Sequence, residues 1–147
     1  VFTEDGWLRT NDLAVIDEKG RISIKGRLSN MILGPSGENI YPTEVEAVLN
    51  THAKVKDCIV TSVPDKIRGQ IVTAYIVPVA SIEEAEHGLA EELDEFCKES
   101  NEIANFKRPR YYRFVSQIPF NATGKKLHVK IKEIASRDQK NGLLYRV

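Results

Sequence analysis

A glycine followed by two lysines, Gly124-Lys125-Lys126, closes a short polar stretch that opens at Pro119. Pro119 ends an apolar, strand-like run, Tyr112 to Ile118, and a helical pattern follows Leu127. Gly124 permits a positive φ or a close approach of backbone to ligand. Lys125 is thereby set on an exposed loop, where a flexible ammonium can meet phosphate or carboxylate as a point charge. Taken alone, a Gly-Lys pair also describes a solvated lysine in a turn. Other polar groups stand at turns upstream: Thr10-Asn11-Asp12, Gly26-Arg27, and Gly37 to Glu46. A carboxylate such as Asp12 is acceptor-only and bidentate, which suits the two hydroxyls of a ribose. Arg27 offers donors to the same sugar or to phosphate. Singly, each also reads as a turn aspartate or a solvated arginine.

Other chemistries find little support. His52, His87 and His128 stand apart, with no second His or Cys at a ligating spacing, so each reads as a surface histidine and no metal set is expected. No nucleophile elbow is present, and no dinucleotide glycine fingerprint follows a strand. Ala122 to Lys125 matches the end of a phosphate-binding loop, but proline occupies position 119, where that motif starts with glycine. Asn121-Ala122-Thr123 fits the glycosylation sequon only by chance if the protein is cytoplasmic. The cysteines, Cys58 and Cys97, read as buried apolar residues in a reducing, cytoplasmic compartment.

The chain has 147 residues, 41% apolar and 29% charged, enough for one ordinary domain with an appendage. Its 21 basic and 21 acidic residues cancel, so no global charge draws it to nucleic acid. No apolar run nears the ~20 residues that span a bilayer, and no signal peptide is visible. Its start at Val1, inside an acidic and aromatic stretch, suggests a piece of a longer chain.

The elements that must position the polar residues follow from periodicity. Residues 1–28 read as short β structure, with a hairpin that buries one face and turns at Asp17 to Gly20. A second β pair, Met31-Ile32-Leu33 and Asn39-Ile40-Tyr41, is joined by Gly34-Pro35-Ser36-Gly37. Thr43-Glu44-Val45-Glu46 has the form of a capping box opening a helix with Val45, Val48 and Leu49 inward. Cys58 to Val60 and Ile71 to Val79 predict two strands, residues 83–100 an amphipathic helix weakened at Gly88, and Tyr111 to Val115 a third strand. The charged segment after Lys125 predicts a loosely docked helix. The class is α+β: a small antiparallel or mixed sheet covered by helices on one face, a two-layer sandwich preceded by an N-terminal β-hairpin.

In order and spacing these residues resemble the C-terminal part of the adenylate-forming enzymes: acyl-CoA synthetases, peptide-synthetase adenylation domains and luciferases. That signature reads approximately Gly-Trp-x-x-Thr-Gly-Asp, an Arg fifteen residues on, a glycine loop ending Pro-x-Glu-Ile/Val-Glu, and Pro-x-x-x-x-Gly-Lys. Here it corresponds to Gly6 to Asp12, Arg27, Gly37 to Glu46, and Pro119 to Lys125. Val60 to Asp65 and Phe106 to Pro109 also look familial, so the resemblance covers nearly the whole chain.

The resemblance implies that Lys125 is the catalytic lysine of adenylation, bridging the carboxylate substrate and the α-phosphate. Asp12, Arg27 and Thr10 would serve ATP or AMP, Ser29 the hinge of a domain rotation, and Gly37 with Glu38 the CoA channel. It implies ATP, Mg2+ held mainly by an N-terminal domain, and CoA as co-substrate. Residues 1–28 would end that large adenylation domain, and 29–147 would be the mobile C-terminal lid. The partners expected are that domain, a fatty acid or other carboxylate, ATP and CoA; nucleic acid is not expected, and the full-length enzyme would be compatible with peripheral membrane association. Three departures stand out: Ser29 replaces the usual Asp or Lys, Asn11 replaces glycine, and the Arg27–Gly37 interval is one residue longer than in short- and medium-chain enzymes. The last resembles long-chain fatty acyl-CoA synthetases. The fragment alone should be inactive. Alternatives are an adenylating domain for amino or aryl acids that feeds a carrier protein, and a non-catalytic binding module on the same fold.

Overall fold

A computed structural model describes residues 1–147. Strands β1 (Asp12–Ile16) and β2 (Ile22–Arg27) form an antiparallel hairpin. A one-turn 3-10 segment, Leu28–Asn30, leads to a small pair, β3 (Ile32–Leu33) and β4 (Asn39–Ile40). Helix α1 (Pro42–Leu49) follows, then the long strands β5 (Val55–Asp65) and β6 (Gly69–Pro78). Short α2 (Ile82–Ala85) and α3 (Leu89–Glu99) cross over to β7 (Tyr111–Phe114). The lysine loop, α4 (His128–Lys140) and β8 (Tyr145–Arg146) complete the chain.

The main sheet has the order β5-β6-β7-β8, with β6 and β7 parallel and the other pairs antiparallel. The class is α+β with a small mixed sheet, as the periodicity indicates. The layering differs: helices cover both faces of this sheet. Cys58, Val60, Val72, Ala74, Ile76, Tyr112 and Phe114 face α1 and α3 in one core. Their neighbours Ile59, Val63, Ile71 and Tyr75 face Ile131 and Ala135 of α4 in the other. The signal was the run Ile71 to Pro78 in β6, apolar but for Thr73, since a strand buried on both faces loses polar alternation.

Two further expectations are corrected. Residues 83–100 are not one helix. Gly88 takes φ 99°, a left-handed value that ends one helical path and starts another, so α2 and α3 are separate. Nor does α4 dock loosely. Ile131 is 3% and Ala135 0% exposed, and the buried Asp138 carboxylate accepts the Tyr75 hydroxyl proton at 2.7 Å. Burial, reinforced by that carboxylate, raises the Tyr75 phenol well above its ordinary range, so the group is a hydrogen-bond donor at any physiological pH. Tyr75→Phe should destabilise the domain by roughly 1–3 kcal/mol, because Asp138 would stay buried without its donor. Urea unfolding of the two proteins checks this.

The N-terminal hairpin departs from expectation most plainly. Ala14 pairs with Ile24 and Ile16 with Ile22, which places these four residues on one apolar face. That face is open: Ile16, Ile22 and Ile24 are 67%, 68% and 73% exposed, and nearby Trp7 is 74%.

Between α3 and β7 lies a buried ion pair with an exposed lysine at its rim. Arg108 Nε meets Asp94 Oδ1 at 2.7 Å, and Lys98 Nζ meets Asp94 Oδ2 at 2.9 Å. The Arg108 guanidinium also donates to the Asn105 side chain.

Candidate functional site

The lysine loop is a small hairpin. Phe120 and Lys126 form an antiparallel bridge, Asn121 N–H donates to the Lys125 carbonyl at 2.8 Å, and Leu127 N–H to the Pro119 carbonyl at 3.0 Å. Asn121 Oδ1 organises the tip by accepting from Thr123 N–H, Thr123 Oγ1 and Lys125 N–H at 3.0, 2.8 and 2.9 Å. Gly124 turns the chain with φ 79°. An L-residue with a side chain would be strained there.

The two lysines then diverge. Lys126 is half-buried, 2.9 Å from Asp57 Oδ1, and donates to the Cys58 carbonyl at 2.6 Å. Lys125 is exposed, and its ammonium has no hydrogen-bond or ion-pair partner in the chain. The sequence could not tell these neighbours apart. Alternation along the hairpin assigns one to the sheet edge and the other to solvent.

Lys125 projects into a cleft of ≈ 740 Å³ that Asp12, Arg27 and Ser29 also line. Arg27 Nη1 donates to Asp12 Oδ1 at 3.1 Å and to the Thr10 carbonyl at 2.5 Å. The Thr10 hydroxyl accepts the Asp12 N–H at 3.3 Å. Asn11 between them has φ 60°, the left-handed conformation that asparagine tolerates. Thr10 therefore shapes the Asp12–Arg27 corner without lining the cleft. Ser29 lies in the single 3-10 turn that joins the hairpin to the rest, held by Met31 N–H to the Leu28 carbonyl at 3.3 Å.

Gly37 and Glu38 do not line this cleft. They sit in the β3–β4 turn, where Gly34 N–H donates to the Glu38 carbonyl at 2.8 Å and Ser36 N–H to Glu38 Oε2 at 3.0 Å. A Cβ at Gly34 would start 2.5 Å from that carboxylate oxygen, so a side chain there would displace the Glu38 carboxylate from the turn. The residues singled out in the sequence thus divide into a cleft group and a separate glycine turn.

The capping box does not form. Pro42 occupies the first turn of α1, a position its fixed φ favours, so Tyr41 is the N-cap and Thr43 lies inside the helix. Thr43 Oγ1 donates to the Lys25 carbonyl at 2.8 Å, tying α1 to β2. Glu46 turns away from the helix start. Its Oε1 accepts the Val60 N–H at 2.9 Å and lies 2.7 Å from His128 Nε2. His128 is accordingly a half-buried, paired residue and not a surface histidine. The proline was the available signal for the shifted cap; nothing in sequence spacing joined Glu46 to His128, 82 residues apart.

The cleft brings together the Asp12 carboxylate, braced by the Arg27 guanidinium, and the unpaired Lys125 ammonium on a preformed loop; its second carboxylate, Glu46, is already taken by His128 and the Val60 N–H. Such a site suits a polyanion carrying a diol. No three His, Cys, Asp or Glu side chains gather into a group able to hold a metal ion. Asp12, already engaged by Arg27, makes no metal cradle on its own.

Comparison with known proteins gives this arrangement its class. The model of the AMP-binding enzyme C-terminal domain matches residues 44–125, more than half of the chain. The 2-succinylbenzoate–CoA ligase of Bacillus licheniformis is 40% identical over 127 residues, which cover 86% of this chain and 25% of that protein. The mitochondrial medium-chain acyl-CoA ligase of Bos taurus is 40% identical over 130 residues, 88% of this chain and 20% of that one. The structure of o-succinylbenzoate CoA synthetase from Bacillus subtilis, in complex with the acyl-adenylate intermediate OSB-AMP, superposes with a TM-score of 0.77 at 35% identity, over 88% of this chain and 25% of that one. The chain belongs to the AMP-binding enzyme C-terminal domain family, whose members here are acyl- and aryl-CoA ligases. It spans about a quarter or less of the length of these curated relatives.

Proposed function

We propose that this chain is the C-terminal lid of an AMP-forming acid–thiol ligase, which joins a carboxylic acid to CoA with ATP. The observation that carries the reading is the unpaired Lys125 ammonium in one cleft with the Asp12–Arg27 corner. Attack of a carboxylate on the α-phosphate of ATP brings anions together, and a preplaced cation at the reacting oxygens lowers that barrier. Lys125 is assigned that role. Asp12 is assigned the ribose hydroxyls, Arg27 holds Asp12 in place and adds a donor, and Thr10 fixes the corner.

Ser29 is assigned the hinge: a single exposed 3-10 turn is the thinnest connection between the hairpin and the sheet domain. The separation of Gly37 and Glu38 from the lysine cleft suits a lid with two working faces, one for adenylation and one for CoA. Residues 1–28 are assigned to the large N-terminal domain, because their open apolar face calls for a partner surface. That domain would carry Mg2+, the adenine pocket and the acyl pocket, so the 147 residues alone should not turn over.

The substrate remains the finer part of the proposal. The ten-residue step from Arg27 to Gly37 favours a long-chain fatty acid. The relatives named for succinylbenzoate and medium-chain acids favour an aryl or shorter acid. Pyrophosphate release by the full-length enzyme with palmitate, octanoate and a benzoate decides between them. In the same assay Arg27→Ala should raise the KM for ATP by about tenfold or more, by loss of a charged hydrogen-bonding group. An unchanged KM would remove Arg27 from the nucleotide site.

A further inference from the structure

Two contacts fasten the lysine loop to the body of the domain. One is the Lys126 anchor on Asp57 and Cys58. The other comes two residues later, where His128 meets Glu46 at 2.7 Å. Glu46 is 6% exposed, and the same carboxylate oxygen takes the Val60 N–H on the outer edge of β5. A single buried carboxylate therefore joins α1, the free edge of the sheet and the first residue of α4. Placing an ionisable carboxylate there carries a desolvation cost that an apolar residue would avoid.

We infer that Glu46 and His128 are positioning residues for Lys125. The Phe120–Lys126 bridge makes the loop one unit, so the stem at 126–128 sets where the Lys125 ammonium enters the cleft. His128 and Glu46 both line that cleft, paired with each other and not with the lysine. Charged groups that line this cleft with the pair are Lys125 and Lys126 on the loop and Asp12 and Arg27 of the hairpin, and Lys132, one turn along α4, lines a second, smaller cleft that His128 also borders. Among the carboxylates, Glu46 is the one in contact with His128. Adenylation needs the reacting cation placed to within a fraction of an ångström. A stem held from two sides supplies that placement; without the histidine contact only Lys126 fastens the segment between the loop and the first docked residue of α4, Ile131.

The inference rests on the adenylation role of Lys125 given above. It is tested in the full-length enzyme with His128→Phe, which removes the donor, and His128→Gln, which retains an N–H donor. Adenylate formation from ATP and acid is measured beside thioester formation from preformed adenylate and CoA. Amide exchange is followed at Asn121 and Lys125 and across the β5–β6 hairpin. His128→Phe should lower the adenylation kcat about tenfold while the KM for ATP stays within about twofold, the pattern of misplacement and not of lost binding. His128→Gln should recover to within about threefold of wild type, since the donor is restored. In His128→Phe the loop amides should exchange faster and the hairpin amides should not, with thioester formation kept.

An unchanged adenylation kcat in His128→Phe overturns the inference. So does a parallel fall of both half-reactions together with faster hairpin exchange, because that describes general loosening. Lys125→Ala as a control separates this idea from the functional one. If the control leaves adenylation intact, the functional reading falls and the positioning role falls with it. If the control collapses while His128→Phe is normal, the positioning role alone is lost.

Discussion

In the full-length enzyme, Lys125→Ala should cut adenylate formation by ~100-fold or more, the scale of losing a group that stabilises developing charge. Thioester formation from preformed adenylate and CoA should survive. The first half follows from geometry: Lys125 is the cation in the cleft that no carboxylate of the chain already engages. Arg27 is committed to Asp12 and Thr10, and Lys126 to Asp57 and Cys58. No neighbour can replace the missing ammonium without breaking a contact of its own. The second half follows from the placement of Gly37 and Glu38 outside that cleft. Separate assays of pyrophosphate release and thioester formation read the two halves. Loss of both together would mean that the substitution damages the lid and not a step. Persistence of both would turn the reading towards a binding module.

The largest effect on stability is expected at Asp94. Asp94→Ala should destabilise the domain by about 3–5 kcal/mol, because it leaves the Arg108 guanidinium buried without its counter-ion. Both side chains of the pair are only 10% exposed, so water cannot replace the lost carboxylate. Burial pushes the Asp94 carboxyl upward, but hydrogen bonds from Lys98 and Arg108 outweigh it and hold the group below the usual carboxylate range. A carboxylate so depressed lends stability that is fully present above its unfolded value of about 3.9 and is lost as pH falls through the lower folded value. The gap between wild type and Asp94→Ala should therefore be constant near neutrality and close in strong acid. Urea unfolding from pH 7 down to pH 3 measures it; a gap that widens in acid would contradict the assignment.

What the sequence could carry, and what it could not, follows physical lines. Local chemistry was legible: Gly124 and Asn11 at positive φ, the Gly34–Gly37 turn, and the β-rich apolar runs of the two long strands. The cleft group Asp12, Arg27, Ser29 and Lys125 was legible only through resemblance, since no local rule joins residues about a hundred positions apart. Features set by tertiary geometry stayed hidden. The cap of α1 moved because Pro42 outweighed Thr43, and Glu46 was captured by a strand edge and a histidine on a distant helix. The second helical layer is implied by the near-continuous apolar run of β6, whose lack of polar alternation requires cover on both sides. The two-residue strand β8 has too few residues to show any period.

The open strip on the N-terminal hairpin bears on how this polypeptide behaves in a tube. Ala14, Ile16, Ile22 and Ile24 form an apolar strip on a ribbon whose two strands pair only with each other, the kind of surface that recruits copies of itself. A polypeptide begun at Leu28 would shed that ribbon while losing the Thr43–Lys25 bond and the Leu28–Asn11 bond. The sheet and both of its cores lie beyond that point. The open apolar strip and the two cores thus lie in different segments, and a shorter polypeptide free of the strip would also lose Asp12 and Arg27 from the cleft.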